Sequence, residues 1–280
     1  MNNLIVYDSL HKVLTFFYSI VIKLLKKDAK FMGSLEFQKK LKSSDTVFIL
    51  APGSSINDYK EDDFNFISTF DSIGINNFII HDFVPDIYLL ETQNRNLNYF
   101  NIIKEQKSKF KNATFLYKGY ASLSFKKLNN LIQNLSDKPS FLKNFYIAKD
   151  AYLKGEWSLI NQQFYNMFFY NDYFYNYRSS LDYTILMAYK CGYKNVVLCG
   201  FDMTDRYFYS QNPSYAGITT KYNLCSNINT IHNDESRKNK IIELLLSMNI
   251  KLKEERGGGI FVYKKNMSLA EYLPLYSRNC

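Results

Sequence analysis

The 280-residue chain is poor in the residues on which several classes of protein depend. It has 11 glycines and 5 prolines, too few for a collagen-like or linker-dominated architecture. Three histidines are too few for a metal site built from histidine. The four scattered cysteines, none at metal-ligand spacing, are Cys191, Cys199, Cys225 and Cys280. They predict reduced thiols in a cytoplasmic protein rather than a disulfide framework.

Several nucleotide-binding motifs are also absent. The sequence holds neither a P-loop, Gly-x-x-x-x-Gly-Lys, nor the Gly-x-Gly-x-x-Gly fingerprint. It has no Asp-x-Asp pair, which many nucleotide-sugar transferases use to hold a divalent ion on a diphosphate. A transferase with this sequence is therefore expected to use a donor whose leaving group needs no metal, and no cofactor is predicted.

The chain does have a hydrophobic fraction of 46% and a net charge of +9. The hydrophobic fraction is enough for a full core, so we expect one large domain, alone or with a small satellite. Residues 1–45 hold eight lysines against four acidic residues, nearly half of the positive excess. The remaining lysines are dispersed and only six arginines occur, which is typical of a solvated surface and argues against nucleic-acid binding.

The first apolar segment, residues 4–25, contains 15 apolar residues, but only ten consecutive positions lack Asp, Lys or His. This is too short to span a bilayer, and it has neither the preceding charge nor the cleavage site of a signal peptide. Four lysines follow, at Lys23, Lys26, Lys27 and Lys30. The pattern predicts an amphipathic helix on an anionic membrane surface, or one that packs on the main domain or self-associates. Residues 28–45 are predicted to be a polar, partly helical connector.

From residue 46 onward, short apolar runs alternate with helical patterns. The predicted strands are Thr46–Leu50, Asp71–Ile75, Asp86–Leu90, Ala113–Tyr117, Asn195–Cys199 and Ile250–Leu252. The predicted helices are Ser179–Cys191 and Asp234–Met248. This alternation predicts an α/β domain over residues 46–280, with a Rossmann-like, mostly parallel sheet.

Ligands of such sheets bind beyond the carboxyl ends of the strands. The segments that follow the predicted strands are Ala51–Ser55, Asn76–Asn77, Glu91–Gln93 and Gly200–Asp202. Their small, amide and hydroxyl side chains suit a nucleotide, whose phosphate binds backbone N–H groups and whose base and ribose bind amides and hydroxyls. The serines after Pro52-Gly53 are equally compatible with an ordinary helix N-cap.

Four segments of the chain resemble the bacterial lipooligosaccharide sialyltransferases of glycosyltransferase family 42. They are Val47–Ser55; Asp71–Asn77; Asn176–Ser180 with Gly192–Asp202; and Ser214–Ala216 with His232 and Ile241–Leu252. The last includes the spacing from His232 to the predicted strand at Ile250–Leu252. The sequence departs from the family at Pro52 and Glu91, where the family has a phosphate-contacting and a donor-binding asparagine. A carboxylate at Glu91 would repel an acidic donor unless it meets a hydroxyl or an amine.

The resemblance implies an inverting transferase that moves a sialic acid or related nonulosonate from a CMP-activated donor to a glycan or glycolipid acceptor at the cell surface. It implies His232 as general base, although surface or N-capping roles are usual for a lone histidine. Tyr215 and Tyr207 would stabilise the leaving phosphate, with Tyr209 equally placed, and residues 203–232 would form a mobile lid. The implied donor-binding residues are Ala51, Gly53, Ser54, Ser55, Asn76, Glu91, Thr92, Arg178, Ser179, Ser180, Gly200 and Asp202.

Other functions remain open at this point. The donor could be the CMP-activated form of 3-deoxy-octulosonate. The chain could instead be a magnesium-dependent, pyrophosphokinase-like α/β enzyme that binds a purine triphosphate. A third alternative is a membrane-recruited protein that binds a cytidine nucleotide without turnover. We expect a cytoplasmic protein. Peripheral contact with the inner face of the membrane and assembly into homo-oligomers are both compatible with the sequence.

Overall fold

The described part of the chain is organised around one nine-stranded β-sheet in a computed structural model. The structure describes residues 13, 16–17, 19–91, 99–118, 132, 135–152, 172–177, 179–202, 207–222, 235–263 and 267–268. The strands are β1 (Phe31–Met32), β2 (Thr46–Leu50), β3 (Asp71–Ile75), β4 (Ile87–Glu91), β5 (Thr114–Lys118), β6 (Phe145–Ala148), β7 (Asp150–Tyr152), β8 (Phe174–Asn176), β9 (Asn195–Cys199), β10 (Gly259–Val262) and β11 (Met267–Ser268). β7 and β8 form a separate parallel pair.

Helices cover both faces of this sheet. They are α1 (19–25, with helical backbone also at 13 and 16–17), α2 (Ser34–Lys40), α3 (Glu61–Ile67), α4 (Tyr99–Glu105), α5 (Lys107–Phe110), α6 (Ser180–Lys190), α7 (Phe208–Gln211), α8 (Ala216–Lys221) and α9 (Glu235–Arg256). Short 3₁₀ turns cover Ser54–Asp58, Asn76–Ile80 and Pro213–Tyr215.

The strand order places a topological switch point beside β2. The order is β1-β6-β5-β4-β3-β2-β9-β10-β11, and neighbours run parallel except for β10 and β11. Strands β2 to β6 follow one another outward on one side of β2, and the chain then returns to place β9 on its other side. Open α/β sheets bind ligands where the strand order reverses in this way.

Alternation along the central strands builds a core on each face of the sheet. Val47 and Ile49 belong to a cluster that includes α6 and α9, whereas Phe48 and Leu50 belong to a second cluster on the opposite face. Successive side chains of a strand point to opposite faces, so β2 is buried on both sides. The sheet edge that carries the switch point is thus fixed by packing from above and below.

The predicted mostly parallel α/β architecture is confirmed. Strands β2, β3 and β9 have the predicted bounds, and the predicted helix at Ser179–Cys191 is α6, one residue shorter at each end. Gly192 follows it with φ of +86°, a conformation that favours glycine. Cys191 and Cys199 are free and buried, as expected of reduced thiols, whereas Cys225 and Cys280 lie outside the described residues.

The strand predicted at Ile250–Leu252 is wrong. These residues lie in α9, which continues to Arg256, and the next strand is β10. Leu245, Met248 and Leu252 are completely buried at spacings of three and four, which is the period of a helix face. One element of the family resemblance was the spacing from His232 to a strand at this position. Because no strand lies there, this element does not support the resemblance.

The N-terminal region contributes to the main sheet. Within the predicted connector 28–45, β1 pairs with β6, so the sheet begins before the predicted domain start at residue 46. α1 packs through Ile22, which is completely buried in the second core cluster. In the described part of the chain, no helix combines the length and the apolar character needed to cross a bilayer.

The segment 207–222, part of the predicted lid, contains packed helices. The sequence predicts a mobile lid here, but Phe208, Tyr209 and Tyr215 are buried. α7, α8 and the 3₁₀ turn between them span three to six residues each, too short to display a helical period. Ordering of the segment by a donor remains a prediction.

Candidate active site

Two glycines bring the loops after β2 and β9 into close contact at the switch point. Gly200 has φ of +66°, and a Cβ there would collide with the carbonyl oxygen of Ala51. A Cβ at Gly53 would collide with the carbonyl oxygen of Gly200, to which the Gly53 N–H donates at 3.1 Å. The Ala51 N–H donates to the Cys199 carbonyl at 2.8 Å, which continues the β2–β9 ladder. Both glycines are thus needed for the geometry of this edge.

The Asp202 carboxylate joins these two loops. It accepts hydrogen bonds from the Ser55 N–H at 2.8 Å and from the hydroxyls of Ser55 and Ser54 at 2.5 and 3.0 Å. The carboxylate lies at the start of the 3₁₀ turn, where the first N–H groups lack partners within the turn. Donors that the sequence suggested for a phosphate are therefore occupied by Asp202 in this conformation.

Main-chain contacts place residues 207–208 against the same turn. Gly53 and Tyr207 form an isolated antiparallel bridge, and the Phe208 N–H donates to the Pro52 carbonyl at 3.1 Å. Proline has no N–H, so a carbonyl is the only main-chain polar group that Pro52 can offer. The structure thus brings Tyr207 to the predicted donor loop.

Asn76, directly after β3, combines backbone strain with a buried unsatisfied atom. Its φ is +49°, in the left-handed region. Its Nδ2 donates to the Ser180 hydroxyl at 3.1 Å, while its Oδ1 is buried without a hydrogen-bond partner among the described residues. Leaving a buried acceptor unpaired costs about 1–3 kcal/mol, so this atom is suited to receive a donor group from a ligand.

Glu91, at the end of β4, meets both an amine and a hydroxyl. Lys118, the last residue of β5, lies 3.0 Å from its carboxylate with a side chain only 3% exposed. The Ser180 hydroxyl donates to the other carboxylate oxygen at 2.6 Å. The sequence predicts that Glu91 repels an acidic donor unless its carboxylate meets a hydroxyl or an amine. It meets both, and the positive charge of Lys118 offsets the negative charge of the carboxylate.

Ser180 links the two preceding groups, since its hydroxyl accepts from Asn76 and donates to Glu91. Ser179, its neighbour, is the N-cap of α6: its hydroxyl accepts from the Asp182 N–H at 3.2 Å, and Asp182 accepts from the Ser179 N–H at 2.8 Å. This reciprocal capping box fixes where α6 begins. Ser180 is thereby positioned at the carboxyl ends of β3 and β4.

The two alternative tyrosines of segment 207–222 differ in their environment. The ring of Tyr207 stacks on that of Tyr209 with centroids 5.2 Å apart. The Tyr209 ring is buried, and its hydroxyl accepts from Asn77 Nδ2 at 2.8 Å. Asn77 in turn accepts from the Tyr99 hydroxyl at 3.3 Å. Tyr209 therefore belongs to a core hydrogen-bond network, and Tyr207 is the better candidate for a ligand contact.

Tyr215 packs against the loop that follows β3. Its ring lies 5.1 Å from Phe208 and 6.3 Å from His81, measured between ring centroids. Burial raises the pKa of its hydroxyl, with a further contribution from the charge of Asp82, while a backbone hydrogen bond from Asp82 opposes the shift. In this conformation the Tyr215 hydroxyl therefore lies at the Asp82 backbone.

His81 packs among aromatic side chains in the turn that follows β3. Its ring lies 4.8 Å from Phe64 and 4.9 Å from Phe78, and its Nδ1 accepts from the Phe83 N–H at 3.0 Å. Burial lowers the pKa of His81 to about 4, partly opposed by Asp82. The imidazole is therefore neutral at pH 7 and anchors the turn after β3.

Three predicted site residues, Thr92, Arg178 and His232, lie outside the described residues. Of the others, the structure joins Gly53, Ser54, Ser55, Gly200 and Asp202 at one strand pair, and Asn76, Ser180 and Glu91 at the next. Sequence reasoning missed Lys118, although a single charge at the end of the apolar run 114–118 was a usable signal. It also missed His81, which no local pattern indicates.

No family model matches the chain, and no curated protein matches it. Solved structures similar to it include an α-2,3-sialyltransferase from Campylobacter jejuni in apo form, with 16% identity over 83% of this chain and 81% of that chain, at a TM-score of 0.44. The sialyltransferase CstII from the same organism in complex with the substrate analogue CMP-3FNeuAc is 15% identical over 81% and 84%, at 0.46. Values this low assign neither a family nor an activity.

Proposed function

We propose that the chain is an inverting glycosyltransferase that moves a sialic acid or related nonulosonate from a CMP-activated donor to a hydroxyl of a surface glycan or glycolipid. The observation that carries the proposal is the Oδ1 of Asn76, which is buried at the carboxyl edge of the sheet next to the switch point and has no hydrogen-bond partner among the described residues. A strained residue with an unsatisfied acceptor at a ligand-binding edge is suited to a ligand that brings a donor group.

A cytidine nucleotide offers donor groups of this kind. Its exocyclic amine and ribose hydroxyls donate hydrogen bonds, and Asn76 Oδ1 is a buried acceptor at the sheet edge that lacks a partner among the described residues. Pairing of Glu91 with Lys118 reduces the repulsion that an unpaired carboxylate would exert on the phosphate and on the sugar carboxylate. We assign Arg178, Ser179 and Ser180 to the sugar carboxylate, as the family resemblance implies.

The transfer step needs a base, a stabilised leaving group and exclusion of water. The acceptor oxygen forms a bond to the anomeric carbon while the bond from that carbon to the phosphate oxygen breaks, and CMP leaves. We assign the acceptor proton to His232, because an imidazole side chain can serve as a general base near neutral pH. The electron pair of the broken bond remains on the CMP phosphate.

Tyr207 and Tyr215 are proposed to stabilise that phosphate by donating hydrogen bonds, which requires no metal. Tyr207 already lies at the Gly53 turn, whereas the Tyr215 hydroxyl would have to leave the Asp82 backbone. Donor binding is therefore expected to rearrange the segment 203–232. We also propose a cytoplasmic location, as the scattered cysteines of the sequence predict.

The test is a transfer assay with the full chain, CMP-activated sialate or CMP-activated 3-deoxy-octulosonate, and a panel of soluble glycan acceptors in EDTA. We expect transfer to persist in EDTA. His232→Ala should lower turnover by about 10²- to 10⁴-fold while donor affinity stays nearly unchanged, because the base contacts the acceptor. His11→Ala, the matched loss of another histidine, should keep wild-type turnover.

Three outcomes would contradict the proposal. Wild-type turnover in His232→Ala would remove that residue from the mechanism. Activity that is lost in EDTA and restored by magnesium, with binding of a purine triphosphate, would favour a pyrophosphokinase-like enzyme. Binding of CMP without transfer from either donor would indicate a binding protein instead of an enzyme.

A further inference from the structure

Helix α1 presents its apolar side chains to solvent. Ile22 is completely buried against the domain. The exposed apolar residues of the helical segment, each 38–73% exposed, are Val13, Phe16, Phe17, Ile20, Val21, Leu24 and Leu25. A surface helix of a globular protein normally turns its apolar stripe to the core, so the orientation of α1 is the reverse of the usual one.

The exposed apolar residues share one side of the helix. Phe17 and Leu24 are seven residues apart, about two turns, and therefore lie on the same face, with Ile20 and Val21 between them. Ile22 is two positions from Ile20 and Leu24, about 160–200° around the helix axis, and contacts the domain from the opposite side. The helix is thus attached through one face and leaves a second apolar face without a partner among the described residues.

A basic patch borders this apolar face. Its residues are Lys23, Lys26, Lys27 and Lys30, together with Lys143, whose carbonyl accepts from the Lys30 Nζ at 3.1 Å. The one acidic residue between positions 19 and 30 is Asp28, which is paired with Lys138 at 3.2 Å. The region consequently carries a clear excess of positive charge directly beside exposed apolar side chains.

We propose that the apolar face of α1 and the adjacent basic patch form a docking surface for anionic phospholipid bilayers. The apolar side chains would enter the boundary between headgroups and acyl chains, and the lysines would contact the anionic headgroups. A second copy of the chain is disfavoured as the occupant, because a symmetric pairing would bring two positively charged patches together. This surface is separate from the sheet edge, so the inference does not depend on the proposed transfer reaction.

The experiment is co-flotation of the full chain with vesicles of phosphatidylcholine, with or without phosphatidylglycerol. We expect binding to the anionic vesicles that weakens with added salt, since salt screens the lysine charges. Replacing three lysines together, Lys23→Gln, Lys26→Gln and Lys27→Gln, should weaken partitioning by about 10²-fold. Replacing Phe17→Ser, Val21→Ser and Leu24→Ser together should weaken it by at least about 10-fold.

Matched controls distinguish an effect of the proposed docking surface from an effect of the total charge or the total hydrophobicity of the protein. The triple control Lys39→Gln, Lys111→Gln and Lys253→Gln removes the same charge elsewhere, and Ile250→Ser removes an exposed apolar residue of α9. Both should bind like the wild type, and all variants should keep the wild-type melting temperature and CMP affinity. Equal binding to neutral and anionic vesicles, no loss in the α1 variants, or self-association without vesicle binding would each overturn the proposal.

Discussion

The turns after β2 and β3 lie side by side at one edge of the sheet but differ in how far their polar groups have hydrogen-bond partners within the protein. After β2, the Ser55 N–H and the hydroxyls of Ser54 and Ser55 all donate to Asp202. After β3, Asn76 adopts a φ of +49° and keeps a buried acceptor without a partner among the described residues. One turn is satisfied by the protein itself, and the other retains strain and an unmet hydrogen bond.

This difference separates structural from ligand-binding residues. A backbone strain and an orphan acceptor each cost about 1–3 kcal/mol and persist where function requires them. A turn whose serine hydroxyls and Ser55 N–H are paired within the protein holds the loops together without a ligand. We therefore expect the β2 turn to respond mainly in stability when it is altered, and the β3 turn to respond mainly in ligand affinity.

Of the substitutions that test this difference between the two turns, Asp202→Ala should have the largest effect on stability. The substitution removes three hydrogen bonds to a carboxylate and leaves the Ser55 N–H unpaired, so the free energy of unfolding should fall by about 3 kcal/mol. Urea denaturation measures this loss. Ser54→Ala, which removes only the bond of 3.0 Å, should lose about 1 kcal/mol. Unchanged stability with weaker CMP binding would place Asp202 among the ligand-binding residues instead.

A somewhat smaller loss of stability is expected at low pH from His81, which anchors the turn after β3. His81 has a pKa lowered to about 4 by burial, so between pH 6.5 and 4 the unfolded chain binds a proton that the folded chain does not. The contribution of neutral His81 to the free energy of unfolding is therefore fully present above pH 6.5, and it falls by about 2–3 kcal/mol as the pH drops to 4. His81→Asn should remove this part of the pH dependence. Parallel stability curves for the two proteins would show that His81 does not titrate as described.

The central strands could be predicted from the sequence because they are continuous apolar runs with polar ends. β2 and β9 are buried on both faces and therefore contain such runs. β1 and β8 have two and three residues, which is too short for any period. Inside α9, the segment Ile250–Leu252 was misassigned because a helix buried on one face can contain a strand-like triplet.

The candidate site was predictable only to the extent that it follows strand ends. Asn76, Glu91 and Asp202 were found because the carboxyl ends of parallel strands meet at one edge. Their partners could not be inferred, since the ion pair from Glu91 to Lys118 joins different strands and the bond from Asn76 to Ser180 spans 104 positions. Which donors Asp202 occupies is likewise a tertiary property that no local pattern records.

The smallest expected change in stability is also the most informative, and it comes from Asn76→Gly. Glycine adopts a φ of +49° without strain and removes the buried orphan acceptor, but the variant also loses the hydrogen bond from Asn76 Nδ2 to Ser180 and gains freedom in the unfolded chain. These effects oppose each other, so the free energy of unfolding should change by less than about 1 kcal/mol. Asn65→Ala, on the exposed side of α3, serves as the matched loss of an asparagine.

The most direct test of the central claim is a calorimetric titration of CMP into the wild type and Asn76→Gly. If Asn76 Oδ1 receives a hydrogen bond from the nucleotide, the wild type binds CMP and the variant binds it about 10-fold more weakly, although its stability is nearly unchanged. Asn65→Ala should retain wild-type affinity. Equal CMP affinity in the wild type and Asn76→Gly, or no CMP binding by the wild type, would contradict the account.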